Sequence, residues 1–105
     1  MAQIIWSPNA TRQIEEIAEY IEKDSPYYAG RVILKIYATV SRLKTFPEMG
    51  AVASEFQEKG IRELLVFQYR VFYRLDEGTQ RIQVLAIVHG MRHIDNTFFI
   101  EENGQ

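Results

Sequence analysis

The sequence predicts an α+β fold of order β-α-α-β-β-β, in which a helical hairpin packs on one face of a small twisted, mainly antiparallel sheet. Three observations carry this. Two Ser-Pro pairs each open a run with helical apolar spacing. The stretch from Arg62 to Gly90 is dense in Val, Leu, Ile, Phe and Tyr, as strands are. A turn signal, Asp76–Gly78, divides that stretch. No repeat, low-complexity segment or linker interrupts the 105 residues, so residues 1–105 are expected to form one domain.

Taken in order, "AQIIWS" is a short strand-like run that ends at a helix start. Ser7 suits an N-cap. Pro8 suits the first helical position, where its missing N–H would have no partner anyway. Ile14, Ile17, Ala18 and Ile21 then recur at i, i+3, i+4 and i+7, with Glu15, Glu16, Glu19 and Glu22 mostly off the stripe. Ser25 and Pro26 repeat the device for a second helix. Its stripe is Ala29, Val32, Ile33, Ile36, Tyr37, Val40 and Leu43, and Pro47 with Gly50 ends it.

Strand alternation sends Val71, Tyr73 and Leu75 one way and Arg70, Phe72 and Arg74 the other. The same rule sets Ile82, Val84, Ala86 and Val88 against Gln83, Leu85, Ile87 and His89. Both faces of the last strand are therefore apolar, as in a central strand covered on two sides. The hairpin covers one face, so the other calls for the C-terminal "NTFFIE" or a partner. With Gln68 as the sole turn-compatible residue in "VFQYR", the residues by themselves read as one long strand from Glu63 to Leu75.

The totals narrow the function classes. A hydrophobic fraction of 47% and a charged fraction of 25% are ordinary for a folded soluble protein. There is no apolar run of membrane-spanning length, and "MAQIIWSPNA" lacks the basic and apolar regions of a secretory signal. The absence of cysteine excludes a disulfide framework and fits a cytoplasmic setting. A net charge of −2 speaks against direct binding to nucleic acid. The distribution is uneven: all five positive charges between residues 61 and 93 are arginines (Arg62, Arg70, Arg74, Arg81 and Arg92). Arginine is suited to planar, bidentate contacts with carboxylate or phosphate.

The pieces "WSPNATRQIEEIAEYI", "FPEMG", "REL…YRVFYRLDE" and "VLAIVHGMR" together resemble the RelE/ParE superfamily of toxins from type II toxin–antitoxin pairs. The strand ending in "HG-x-R" is most similar to the ParE branch. The resemblance implies a small toxin without cofactor, neutralised by a cognate antitoxin whose amphipathic segment lies over the sheet. It also implies a hairpin turn just before the "YR" pair, where relatives often carry Gly or Asn. ParE-like members are similar to inhibitors that bind DNA gyrase. The RelE-like alternative is a ribosome-dependent mRNA interferase, and a non-toxic scaffold that only binds its partner is a second alternative.

Metal-free cleavage of RNA needs a base, cations for the charge developing on phosphate, and an acid. The cleaving branch implies Arg70 and Arg92 as its arginines, with His89 and His93 available as acid and base. Its second-strand lysines are absent, because Ile61 and Glu63 stand there, and Phe98 and Phe99 offer no hydroxyl. His89 and His93 have no third ligand at characteristic spacing, so no metal site is expected. His89 reads first as a strand-end residue and His93 as a loop residue. Gyrase-type inhibition is therefore the preferred reading. The residues expected to meet the target or the antitoxin are Arg62, Arg70, Phe72, Arg74 and Arg92. Arg70 and Arg74 either pair with Glu63 or Glu77 across the sheet or, the preferred reading, face carboxylates of a partner. Homodimerisation through the helical hairpin, around Tyr27 and Tyr28, is a further possibility.

Overall fold

The computed structural model describes residues 2–90. Its elements are β1 (Gln3–Trp6), α1 (Pro8–Glu22), α2 (Pro26–Ser41), β2 (Ala51–Val52), β3 (Ile61–Val66), β4 (Tyr69–Asp76) and β5 (Arg81–His89), in the sheet order β1-β5-β4-β3-β2. β1 runs parallel to β5, and the other pairs are antiparallel. The expected α+β class and helical hairpin are present. The sheet has one strand more than expected, the two-residue β2. Among the described residues no helix is long and apolar enough to cross a membrane.

Both helix starts follow from their caps. Ser7 Oγ accepts from Ala10 N at 3.0 Å and Ser25 Oγ from Tyr28 N at 3.1 Å, each with proline in the first helical turn. Each cap satisfies an N–H that the helix itself leaves unpaired. The main core lies between the helices and the sheet. Ile14, Ile21, Ala29, Val32, Ile36 and Val40 press on Leu64, Val66, Val71, Tyr73, Ile82, Val84 and Ile87. Burying side chains of this size contributes about 1.5–3 kcal/mol each.

β5 departs from simple alternation. Phe72 pairs with Ala86 and Tyr73 with Val84, so Leu85 is an extra residue in β5. Such a bulge reverses the face of everything beyond it. Ile82, Val84 and Ile87 therefore face the helices, while Leu85, Ala86 and Val88 join the opposite core. The expected sets, with Ala86 and Val88 beside Ile82, are corrected by that one insertion. β1 stops at Trp6, and side chains of α1 and of its Ser7 cap serve the edge of β5 above it. Ser7 Oγ and Asn9 Nδ2 donate to Leu85 O at 3.1 and 3.4 Å, and Gln13 Oε1 accepts from Ile87 N at 2.8 Å. These bonds explain why Asn9 and Gln13 can be buried.

Two further expectations change. The residues from Glu63 to Leu75 are not one strand, because β3 and β4 form a hairpin around Phe67–Gln68, as the resemblance implied. Phe67 takes the left-handed conformation (φ 54°) that Gly or Asn would supply cheaply. The second sheet face is covered by a 3-10 segment, Ser54–Lys59, whose Phe56 packs with Ala53, Ile61, Phe72, Leu85, Ala86 and Val88. "NTFFIE" lies outside the described residues.

The "FPEMG" loop is tied to the sheet by Tyr73. Its hydroxyl donates to Pro47 O and accepts from Gly50 N, both at 2.9 Å. A Cβ at Gly50 would sit 2.6 Å from Glu63 O and 2.8 Å from the Tyr73 ring, so this close approach requires glycine.

Candidate functional site

The residues singled out from the sequence divide between the two faces of the sheet. Arg70, Phe72 and Arg74 emerge on the face opposite the helices. Arg62, beside Tyr73 in register, is on the helix side and donates to Gly50 O at 2.8 Å and Glu48 O at 3.5 Å. These bonds reach the loop that Tyr73 also holds. Arg92 lies outside the described residues.

Arg70 is saturated with carboxylate. Nε and Nη2 donate to the two oxygens of Glu63 at 3.0 and 2.8 Å, while Nη1 and Nη2 donate to those of Glu55, both at 2.9 Å. The guanidinium lies 4.7 Å from the centre of the Phe72 ring, and its side chain is 15% exposed. Glu63 first, then Glu55, hold Arg70 even more firmly protonated than usual, and Arg70 holds the Glu55 carboxyl below its ordinary range. The preferred expectation, that Arg70 faces an outside partner, gives way to an internal double ion pair. Glu63 is a partner that the sequence offers to Arg70 across the sheet, whereas nothing in the sequence points to Glu55. The segment carrying Glu55 has no periodicity, and its only signal was Phe56 between polar neighbours.

Phe72 is also displaced from the expected docking surface. It is fully buried, with Phe56 edge-on at 5.9 Å between ring centres. Arg74 remains at the surface, where Nη2 donates to Gln83 Oε1 at 3.4 Å rather than to Glu63 or Glu77.

His89 is on the helix face. It is paired in register with Tyr69, their rings meeting edge to face at 5.9 Å. Arg70 is paired with Val88 and points the other way. The two described members of the implied nuclease set, Arg70 and His89, are thus separated by the thickness of the sheet. Gly90 N donates to Gln68 O at 2.7 Å, and a Cβ at Gly90 would stand 3.1 Å from that oxygen. Gly90 therefore lets the end of β5 close against the β3–β4 turn.

His89 and Tyr69 border a groove of about 470 Å³ between α1 and the end of β5. Ile17, Tyr20 and Ile87 give it an apolar lining, and Glu16 and Gln13 supply its polar atoms. Burial first, then the nearby Tyr28 and Tyr20, push the Tyr69 hydroxyl up from its ordinary pKa. Sequence reading missed this groove because Tyr20 falls off the apolar stripe of α1, and nothing local marks that β5 outlasts β1.

Comparison with known proteins agrees with the fold. The family model described as the ParE toxin of type II toxin–antitoxin systems matches residues 4–94. Toxin RelE2 of Caulobacter vibrioides is 30% identical over 88% of this chain and 99% of its own length. The protein Y4kP of Sinorhizobium fredii is 33% identical over 83% of this chain and 86% of its own. Among solved structures, a chain of the chromosomal ParDE system of P. aeruginosa aligns with a TM-score of 0.70 at 20% identity, over 85% of this chain and 96% of that one. A chain of the RelBE2 toxin–antitoxin complex of Mycobacterium tuberculosis aligns at 0.55 and 19% identity, over 84% and 96%. By its sequence match and its fold, the chain belongs to the ParE toxin family of type II toxin–antitoxin systems.

Proposed function

We propose that this toxin acts by binding DNA gyrase and is neutralised by a cognate antitoxin, and that it does not cut mRNA. The observation that carries the reading is the division of Arg70 from His89. Cleavage needs acid, base and cation to converge on one phosphate within hydrogen-bond reach. Here Arg70 emerges on one face with its donors given to Glu55 and Glu63, while His89 emerges on the other. A phosphate seeking Arg70 would have to displace two carboxylates. The acidic balance, with a sequence pI near 5.7, further disfavours a surface that must lie against ribosomal RNA phosphates. The match to the ParE family points the same way.

RelE-like cleavage is the second reading, supported by the likeness to toxin RelE2 and by the imidazole of His89 beside the phenol of Tyr69 on one groove. Primer extension on mRNA held by programmed ribosomes separates the two. Intact message after incubation with the purified toxin is the expected result. A cut in the A-site codon would overturn the proposal in favour of the second reading.

A further inference from the structure

We propose that the toxin forms a twofold dimer through the outer face of its helical hairpin, the acidic α1 of one copy lying on the basic α2 of the other. Such a dimer is independent of the toxin's target. The two helices divide the charge between them. α1 carries Glu15, Glu16, Glu19 and Glu22 against one base, Arg12. From Pro26 to Pro47 the chain carries Arg31, Lys35, Arg42 and Lys44 and no acid. All of these charged side chains are exposed. Among the described residues none of them enters an ion pair; those contacts belong to Arg70.

Helical spacing fixes where the charges point. Glu15, Glu16, Glu19 and Glu22 recur at three and four residues, on the side of α1 away from buried Ala10, Ile14 and Ile21. Tyr27, Arg31, Leu34, Ala38 and Arg42 recur in the same way along α2 and its C-cap, opposite buried Val32, Ile36 and Val40. Within each helix like charges are neighbours, Glu15 with Glu19 and Arg31 with Lys35, and such pairs weaken the helix that carries them. Opposite charges from outside turn both losses into gains.

The geometry selects a second copy as the occupant. α1 and α2 lie side by side and antiparallel, as in any helical hairpin. A twofold axis running between them, in the plane of contact, sets each α1 on the α2 of the other copy. An axis across the helices would set acid on acid and base on base. At about 1.5 Å per residue the acids span about 10 Å and the bases about 16 Å, so the acidic row fits within the basic one. Leu34, 71% exposed, and Tyr27, 74% exposed, lie on the basic row and add apolar burial to the contact. Tyr28 is off that row and stands near Tyr69. Nucleic acid is a poorer fit, because the carboxylates of α1 beside the basic row repel phosphate. Two helices present a face of about 23 Å by about 20 Å, so two copies bury on the order of 1,000 Å², the lower end of specific interfaces. The dimer is therefore weak and salt-sensitive, half-associated at about 10–100 µM.

Sedimentation equilibrium of the full-length toxin tests this. Wild type should dimerise at about 50 mM salt and associate at least about threefold more weakly at about 500 mM. One variant joins Glu15→Lys to Glu19→Lys, and a second joins Arg31→Glu to Lys35→Glu. Each sets like charge on like and should self-associate at least about tenfold more weakly. Their equimolar mixture should regain wild-type association, because both contacts of the mixed pair are then attractive. Should either variant melt early, Glu19→Gln and Lys35→Gln take their place, each with about threefold weaker association expected. Wild type that stays monomeric at about 300 µM in low salt would overturn the proposal. So would a dimer indifferent to salt and to these substitutions, or a mixture of folded variants that stays monomeric. Binding of wild type to duplex DNA in place of self-association, lost with Arg31→Glu and Lys35→Glu, would give the basic row to phosphate and overturn it as well.

Discussion

If Arg70 is a structural clamp, removing it must cost stability, and the loss must be coupled to Glu55. The perturbation is a double-mutant cycle: Glu55→Gln, Arg70→Gln and the pair together. Four donor–acceptor distances of 2.8–3.0 Å join one guanidinium to two carboxylates, at side-chain exposures of 15% for Arg70, 34% for Glu55 and 23% for Glu63. Glu55 keeps about a third of its surface in water, so screening limits Glu55→Gln to about 1 kcal/mol. Arg70→Gln leaves two carboxylates side by side without their cation and should cost about 2–3 kcal/mol. The coupling should be about 1 kcal/mol. Urea unfolding followed by the fluorescence of Trp6, the single tryptophan, measures it. Acid gives a second readout. The folded-state pKa of Glu55 lies below its unfolded value, so this stabilisation is complete above the ordinary glutamate value of 4.5 and is lost as pH falls through the lowered folded value. The wild type should lose stability in that range faster than Glu55→Gln. Strict additivity, with Arg70→Gln as stable as wild type, would refute the clamp and return Arg70 to service at a partner or substrate.

Phe67→Gly should stabilise the β3–β4 turn by up to about 1 kcal/mol, because glycine adopts φ 54° without strain; a lower urea midpoint would contradict this. Gly50→Ala should destabilise by about 2 kcal/mol or more, since the methyl would meet the Glu63 carbonyl and the Tyr73 ring, and thermal melting reads the effect directly. His89→Gln should leave growth inhibition in an induced strain intact while costing under about 1 kcal/mol through its edge contact with Tyr69. Loss of toxicity at unchanged stability would mark His89 as a chemical group.

Elements whose signals are local could be read from the sequence. Ser7-Pro8 and Ser25-Pro26 carry their helix starts in the side chains that make the caps, and the buried faces of both helices follow from spacing except at Tyr37, which the stripe of α2 includes and the structure leaves exposed. The extra residue at Leu85 could not be read, because Leu85, Ala86, Ile87 and Val88 are all apolar and alternation has nothing to register against. The turn at Phe67 was hidden because its left-handed residue is a phenylalanine, held there by pairing on either side. The site suffered from the same limit. The need of Arg70 for a counter-charge is legible, because it alternates with apolar strand residues. Glu55, 15 residues away in a segment without period, is brought to it only by the packing of Phe56 on Phe72.

The central claim is action by binding rather than by cleavage. Its most direct measurement is the supercoiling of relaxed plasmid by purified gyrase as the toxin is titrated in. Inhibition that deepens with toxin concentration and is reversed by the antitoxin is the expected result. Full supercoiling activity at excess of folded toxin would contradict it.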